Sequence, residues 1–93
     1  MISVYRTQIS NINVPHTPFL PQGARAISCA PSRSPRGNDI DVWWQVDTSQ
    51  PESLSASVIA VPTGSNNILP HHRFVGTVID NDGFHVWHVF QIS

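Results

Sequence analysis

Eight prolines and five glycines divide this chain of 93 residues into mostly short runs. Proline removes a backbone N–H donor and glycine favours turns, so both residues interrupt regular structure. Most of the runs between them are shorter than the roughly 11 residues of an average helix. None of them shows the apolar period of an amphipathic helix. The spacing therefore predicts a fold without helices.

The runs have the composition of β-strands, with many β-branched and aromatic residues. Six strands are predicted, at residues 2–9, 24–29, 40–46, 54–61, 73–79 and 84–92. The segments at 13–23, 31–38, 47–53 and 63–72 are rich in Pro, Gly, Ser and Asn and are predicted to be loops. Short strands joined by turns must cover one another's apolar faces. We therefore expect an all-β fold with a single domain over residues 1–93, either a small antiparallel β-sandwich or a partly open barrel of about six strands, ending in a β-hairpin.

The hairpin predicted near the C-terminal end decides how two histidines are interpreted. Gly83, in the sequence NDG, can adopt the positive φ that a tight hairpin loop of about two or three residues needs. In an extended strand over 84–92, alternate side chains point to opposite faces. His85 and His88 therefore diverge, whereas a metal-binding pair on a strand needs HxH spacing.

Neither a metal site nor a cofactor is expected. The five histidines, with Asp80 and Asp82, have donor atoms suited to a divalent ion. However, the chain has no CxxC or HExxH spacing, and DNDG (80–83) lacks the glutamate that ends a calcium loop. A hairpin turn that contains the aspartates, and histidines that are buried or lie at the edge of the core, explain the same residues without a metal.

No reaction can be assembled from the remaining polar residues, so the chain is not expected to be an enzyme. Cys29 lies in a weak apolar strand, where Arg25 on the same strand face is the one cation that could lower its pKa. Asp39, Asp41 and Asp47 lie at the ends or on the polar face of the third predicted strand and are interpreted as solubilising residues. The lone cysteine excludes an internal disulfide and favours a reducing compartment.

Low charge is the unusual feature of the composition. Charged residues make up 12% of the chain, lysine is absent, and the net charge is -1. The chain lacks a basic surface for nucleic acid and a polybasic cluster for an anionic membrane. It also shows no signal peptide and no apolar stretch of membrane-spanning length. These features predict a soluble intracellular protein without a direct nucleic-acid or membrane partner, and low charge with unpaired edge strands favours a homodimer.

Strand 40–46 is predicted to have one apolar face and one polar face. The polar face carries Asp41, Trp43 and Gln45. An exposed tryptophan on such a face is a candidate anchor for a protein partner; the alternative is that the proline-rich loop 13–23 covers it. The predicted core consists of Trp44, Val42, Val78, Val86, His88 and Phe90, with His88 buried and hydrogen-bonded.

Two small cationic groups in the predicted loops are further candidates for partner binding. Arg33 and Arg36 lie in loop 31–38, where their guanidinium groups could bind carboxylates or phosphates of a partner. A solvated loop without a partner is the alternative. The second group is His71, His72 and Arg73, whose two histidines would gain charge below about pH 6.5. Neither group is large enough to bind a duplex.

The order of motifs along the chain resembles that of a protein family. LPQGA (20–24) is followed by DVWWQVD (41–47), VPTGSNNILP (61–70) and FVGTVIDNDGFHVWHVF (74–90). Over nearly the whole chain this is similar to a family of small all-β proteins, without an assigned activity, from tailed bacteriophages and their bacterial hosts. Members of that family have a VxVW strand and a terminal VGT…G…VWHLF hairpin.

The resemblance implies a biological context. A small phage-encoded domain without catalytic groups most often occupies the surface of another protein, which implies a binding protein in the host cytoplasm that blocks a host protein or complex. Inhibitors of bacterial defence systems, such as anti-CRISPR proteins, are the class that this context favours. Two alternatives stay open: a virion accessory or decoration protein, and a metal-dependent enzyme built on the histidines. The candidate partner-binding residues are Trp43, Arg33, Arg36, His71 and His72.

Overall fold

Every regular element in residues 1–32, 39–80 and 83–93, the residues that the computed structural model describes, is a β-strand. The strands are β1 (Ile2–Ile9), β2 (Leu20–Pro21), β3 (Arg25–Pro31), β4 (Ile40–Asp47), β5 (Glu52–Ser53), β6 (Val58–Pro62), β7 (Arg73–Ile79) and β8 (Val86–Gln91). Over these ranges the structure has no helix of the length and apolar character needed to cross a membrane. The all-β prediction is confirmed.

The strands form three small antiparallel sheets. One three-stranded sheet has the order β1-β4-β3, a second has the order β6-β8-β7, and β2 pairs with β5. Because the sheets do not close on themselves, the structure is a small sandwich and not a closed barrel. The strand prediction was wrong in several details. β2 and β5 lie in segments expected to be loops. β3 extends to Pro31 and not to residue 29, β6 begins at Val58 and not at residue 54, and β8 begins at Val86 and not at residue 84.

A hydrophobic cluster joins the two three-stranded sheets. Strand β4 contributes every second residue to it, because side chains two positions apart share one face of a strand. Trp44 is the largest fully buried side chain, and its Nε1 donates a hydrogen bond to Oγ1 of Thr7 at 2.9 Å. Val42 and Val78 are buried with it, as predicted. The first sheet supplies Ile9, Ala26, Ile40, Val42, Trp44 and Val46, and the second supplies Val58, Ala60, Val78 and Val89.

Strand β8 directs to the core the face that carries Trp87 and Val89, and not the face of the predicted core residues. Val89 is fully buried, and Trp87 packs against the core cluster. Because successive side chains alternate, Val86, His88 and Phe90 lie on the other face of the strand. Val86 is exposed, and His88 and Phe90 are half-buried. The prediction that these three residues belong to the core was therefore wrong.

Small residues on both sides of β8 explain which of its faces is buried. Val89 lies between Ala60 of β6 and Gly76 of β7 in one row across the sheet. A row of small side chains lets the facing sheet approach closely. A Cβ at Gly76 would lie 2.8 Å from Sγ of Cys29, so a larger residue here would require the Cys29 side chain or one of the two strands to shift.

A β-bulge at Val75 determines which side chains of β7 face outward. The register of β7 against β8 shifts between Phe74 and Gly76. Without the shift these two residues would share one face of the strand. With it, Gly76 lies in the inner row opposite Val89, while Phe74 lies on the outer face opposite Phe90.

Strands β7 and β8 form the terminal hairpin that the sequence predicts. Their paired register ends at Ile79 opposite Val86, and the backbone N of Asp80 donates to the backbone O of His85 at 2.8 Å. Gly83 has a φ of 76°, the left-handed conformation expected of it. The connection is longer than the tight loop that was expected, because strand pairing stops before Asp80.

Candidate protein-binding surface

Trp43 lies half-buried on the outward face of the β1-β4-β3 sheet, with Arg6 of β1 as its direct cross-strand neighbour. The structure does not place loop 13–23 over this indole. That loop instead runs along the other sheet, where His16 exchanges two backbone hydrogen bonds with Val58 of β6. Trp43 is thus a partly exposed aromatic side chain in the centre of a sheet face.

Asp41 is fully buried on the same strand, although the alternation in the sequence predicts a solvated position. Its Oδ2 lies 3.4 Å from Nη1 of Arg6, and its Oδ1 has no hydrogen-bond partner among the described residues. A buried carboxylate is costly unless a cation or several donors compensate it. Arg6 is therefore held beside Trp43 by Asp41, and Asp41 is not a solubilising residue.

Of the other predicted partner-binding residues, His71 and His72 lie beside a different sheet from Trp43. His71 and His72 lie in the turn before β7 of the other sheet, with their ring centroids 4.6 Å apart. Nδ1 of His72 accepts a hydrogen bond from the backbone N of Leu69 at 3.1 Å, which gives this ring a structural role in the turn. Arg33 and Arg36 lie outside the described residues.

The hairpin carries an exposed apolar surface that sequence reasoning missed. Phe74, Ile79, Val86 and Phe90 share the outward face of β7 and β8, and we call these four residues the hairpin face. Phe74 is 54% exposed, Ile79 58% and Val86 36%. Phe90 is half-buried and meets Phe74 edge to face, with ring centroids 5.4 Å apart. Phe84, in the adjacent loop, is 86% exposed.

His88 is the polar group within the hairpin face. Its Nε2 lies 2.7 Å from Oγ1 of Thr63, and its Nδ1 lies 3.1 Å from Oγ1 of Thr77. The prediction that this ring is hydrogen-bonded is confirmed, but the ring is half-buried and does not belong to the core. Because both nitrogens are engaged, the imidazole has a fixed orientation between the aromatic and aliphatic side chains.

His85 has different partners from His88, as the strand prediction requires. Its Nδ1 lies 3.7 Å from Oδ2 of Asp80, and its ring stacks on Trp87 with centroids 6.0 Å apart. The same carboxylate oxygen of Asp80 accepts a hydrogen bond from Nε1 of Trp87 at 3.2 Å. In the parts of the chain that the structure describes, which do not include Asp82, no three residues of metal-binding type come together.

Comparison with known protein families matches residues 1–93 to a family described as a domain of unknown function, DUF7352. The chain belongs to the DUF7352 family. The match covers the chain from end to end, and the family description assigns no activity, ligand or partner. A search of curated proteins and a search of solved structures each found no match to this DUF7352 chain.

The one cysteine of this DUF7352 domain is half-buried and packs against the core cluster. The register of β3 shifts between Ala26 and Ser28, so Arg25 pairs with Gln45 while Cys29 pairs with Val42. That shift places Arg25 and Cys29 on opposite faces, which corrects the expectation that they share one. Burial raises the pKa of the Cys29 thiol to about 11.

Alkylation of Cys29 by iodoacetamide at neutral pH is therefore expected to be slow. Because the thiolate is the nucleophile, a rise in pKa from 9.0 to about 11 lowers the reactive fraction roughly 100-fold. Mass spectrometry of timed samples, with and without denaturant, measures the ratio of the two rates. Equal rates in the folded and unfolded protein would contradict the burial of this thiol.

The sequence of this DUF7352 hairpin does hold a signal for the missed surface. Six of the nine residues at 84–92 are apolar and they fall on both faces of an extended strand, so alternation alone predicts two largely apolar faces. A central strand of a two-layer sandwich buries one face only, which leaves the second face exposed. The tryptophan of that strand, Trp87, marks the buried face, because large aromatic side chains supply most of the buried area.

Proposed function

We propose that this chain is a protein-binding domain that acts by covering a surface of another protein, without catalysing a reaction. The observation that supports it is the hairpin face. Soluble domains rarely expose a contiguous apolar surface, and such a surface marks an interaction site. Four apolar side chains on neighbouring strands share one outward face here, beside an exposed phenylalanine in the loop. A partner that covers this face would gain the free energy of burying it.

The chemistry of the hairpin face defines the kind of partner surface that fits it. Phe74 and Phe90 already contact each other, so less side-chain entropy is lost when a partner orders them. His88 and Thr77 place polar groups among the apolar ones. None of the residues of the hairpin face is charged, so recognition rests on apolar burial and shape more than on electrostatic attraction. The complementary surface is an apolar protein surface without a strong charge.

The resemblance to phage proteins supports a bacterial host protein as the partner and the host cytoplasm as the place of action. We infer that the domain blocks its partner by occlusion, as an inhibitor of a bacterial defence system such as an anti-CRISPR protein would. The net charge of -1 supports a protein partner over direct contact with nucleic acid. Trp43 offers a second, smaller anchor on the opposite sheet.

Replacing Phe74 with alanine is expected to weaken partner binding roughly 30-fold, the loss typical of a central aromatic anchor. The experiment begins with affinity pull-down from phage-infected host cells using the tagged wild-type domain. The identified partner is then titrated with the wild type and with each variant. Phe19→Ala is the matched control, because Phe19 is also a phenylalanine, 62% exposed, and precedes β2 outside the hairpin.

Two results would contradict this proposal. If Phe74→Ala and Phe19→Ala bind the partner as tightly as the wild type does, the hairpin face is not the docking surface. Recovery of the domain in purified virions, in fixed ratio to the capsid or tail proteins, would instead support the virion accessory function. Circular dichroism of both variants establishes that neither substitution unfolds the domain.

A further inference from the structure

A cleft with positive charge lies where the two three-stranded sheets meet, away from the hairpin face. Its volume is about 420 Å³, and its lining includes Arg25 of β3, Arg73 of β7, and His71 from the turn before β7. The rest of the lining consists of Gly23, Ala24, Gln91, Ile92 and Ser93. No Asp or Glu side chain is among the lining residues. A volume of this size falls within the range typical of small-molecule sites.

The guanidinium of Arg73 is fixed in this cleft with part of its hydrogen-bonding capacity unused. Its Nη2 donates to the backbone O of Ala26 at 2.6 Å and to Oε1 of Gln91. Its Nη1 and Nε hydrogens have no acceptor among the described residues. Guanidinium N–H groups form a planar fork that matches the oxygens of phosphate or carboxylate. Arg73 is thus already oriented to receive an oxyanion.

Arg25 adds a second positive charge to the lining of the cleft. Burial lowers the pKa of Arg73, and the positive charge of Arg25 lowers it further, so the two guanidinium groups repel each other across the cleft. The ion pairs of the described residues involve Arg6, His85 and the N-terminus, and none joins Arg25 or Arg73 to a carboxylate. An anion with two negative charges would relieve this repulsion better than an anion with one.

We propose that the cleft between Arg25 and Arg73 binds the phosphate group of a small phosphorylated ligand. The phosphate oxygens accept hydrogen bonds from the free Nη1 and Nε groups of Arg73, and Arg25 supplies the second charge. Phosphate is favoured over carboxylate because a phosphate monoester is mostly a dianion at neutral pH. The site shares no residue with the hairpin face, so its test is independent of the proposed function.

The test is a titration with methyl phosphate at about pH 7.5, where the probe is mostly a dianion. Nitrogen-15 NMR follows the Nε–Hε signals of the arginine side chains, with sodium chloride keeping the ionic strength constant. We expect saturable shifts of the Arg73 and Arg25 signals. Methyl sulfate, a monoanion of the same shape, should bind roughly tenfold more weakly because it neutralises one charge fewer.

Two variants decide whether Arg25 takes part. Arg25→Gln should weaken methyl phosphate binding roughly tenfold, the effect of losing one charge-assisted contact. Arg6→Gln removes the same charge outside the cleft lining and should change the affinity by less than about twofold. Because Arg6 pairs with the buried Asp41, circular dichroism first establishes that this variant is folded. Non-saturable shifts, equal affinity for methyl sulfate, or equal losses in the two variants would each overturn the proposal. Because Arg25 is exposed and donates no side-chain hydrogen bond among the described residues, its variant should keep the wild-type amide spectrum.

Discussion

Replacing Trp44 with alanine is expected to lower the free energy of unfolding by about 3–5 kcal/mol, the cost of removing a large aromatic side chain from a packed core. Trp44 is fully buried, belongs to the cluster that joins the two sheets, and donates its Nε1 hydrogen to Thr7 at 2.9 Å. Domains of this size have total stabilities of about 5–15 kcal/mol. The variant should therefore lose a large part of its stability, and urea denaturation followed by circular dichroism measures the loss.

Two milder substitutions separate packing from hydrogen bonding at this position. Trp44→Phe keeps most of the buried area and should lower the free energy of unfolding by less than the alanine variant does. Thr7→Val removes only the hydrogen-bond acceptor and should lower it by about 1–3 kcal/mol, because the buried indole N–H is left without a partner. If Trp44→Ala unfolds at the same urea concentration as the wild type, the indole does not lie in the core. That result would contradict the packing of the two sheets described above.

Replacing Gln91 with leucine is expected to cost about 2–3 kcal/mol, because partly buried backbone groups of β3 would lose their partners. Oε1 of Gln91 accepts a hydrogen bond from the backbone N of Ala26 at 2.9 Å, and Nε2 donates to the backbone O of Ala24 at 3.0 Å. Oε1 also accepts from Arg73. A single side chain on β8 thus connects the second sheet to the edge of the first.

Thermal and urea unfolding of Gln91→Leu measure this loss. Gln45→Leu is the matched control, because Gln45 is exposed on the outward face of β4 and its substitution should change stability by less than about 0.5 kcal/mol. Hydrogen exchange at the Ala26 amide should also become faster in Gln91→Leu. Equal stability of the two variants would show that the side-chain amide does not hold the sheets together.

The strands were largely predictable from the sequence, because β-branched runs bounded by proline and glycine have few other conformations available. The face of β8 that is buried was not predictable from the sequence. Its even-numbered positions hold the more apolar residues, yet Trp87 and Val89 face the core. The choice depends on the row of small residues beside Val89 in the neighbouring strands, and that row exists only once the strands are paired.

The candidate sites were also not predictable from the sequence alone. Arg25 is separated by 46 or more positions from His71 and Arg73, so the cleft that they line has no local signal in the sequence. The bulges at Ile27 and Val75 each reverse the alternation of a strand, which sends Arg25 and Phe74 to faces that a simple period of two does not predict. Asp41 departs from its predicted solvated position because Arg6 compensates its burial across the strand pair.

The outward orientation of the hairpin face can be tested directly by NMR with a soluble gadolinium chelate, which broadens the methyl signals that solvent can reach. We predict strong broadening for Ile79 and Val86, whose side chains are exposed, and weak broadening for Val78 and Val89, which are buried. Addition of the partner protein should then protect Ile79 and Val86. Strong broadening of Val78 and Val89 with protection of Ile79 and Val86 in the free protein would contradict the proposed docking surface.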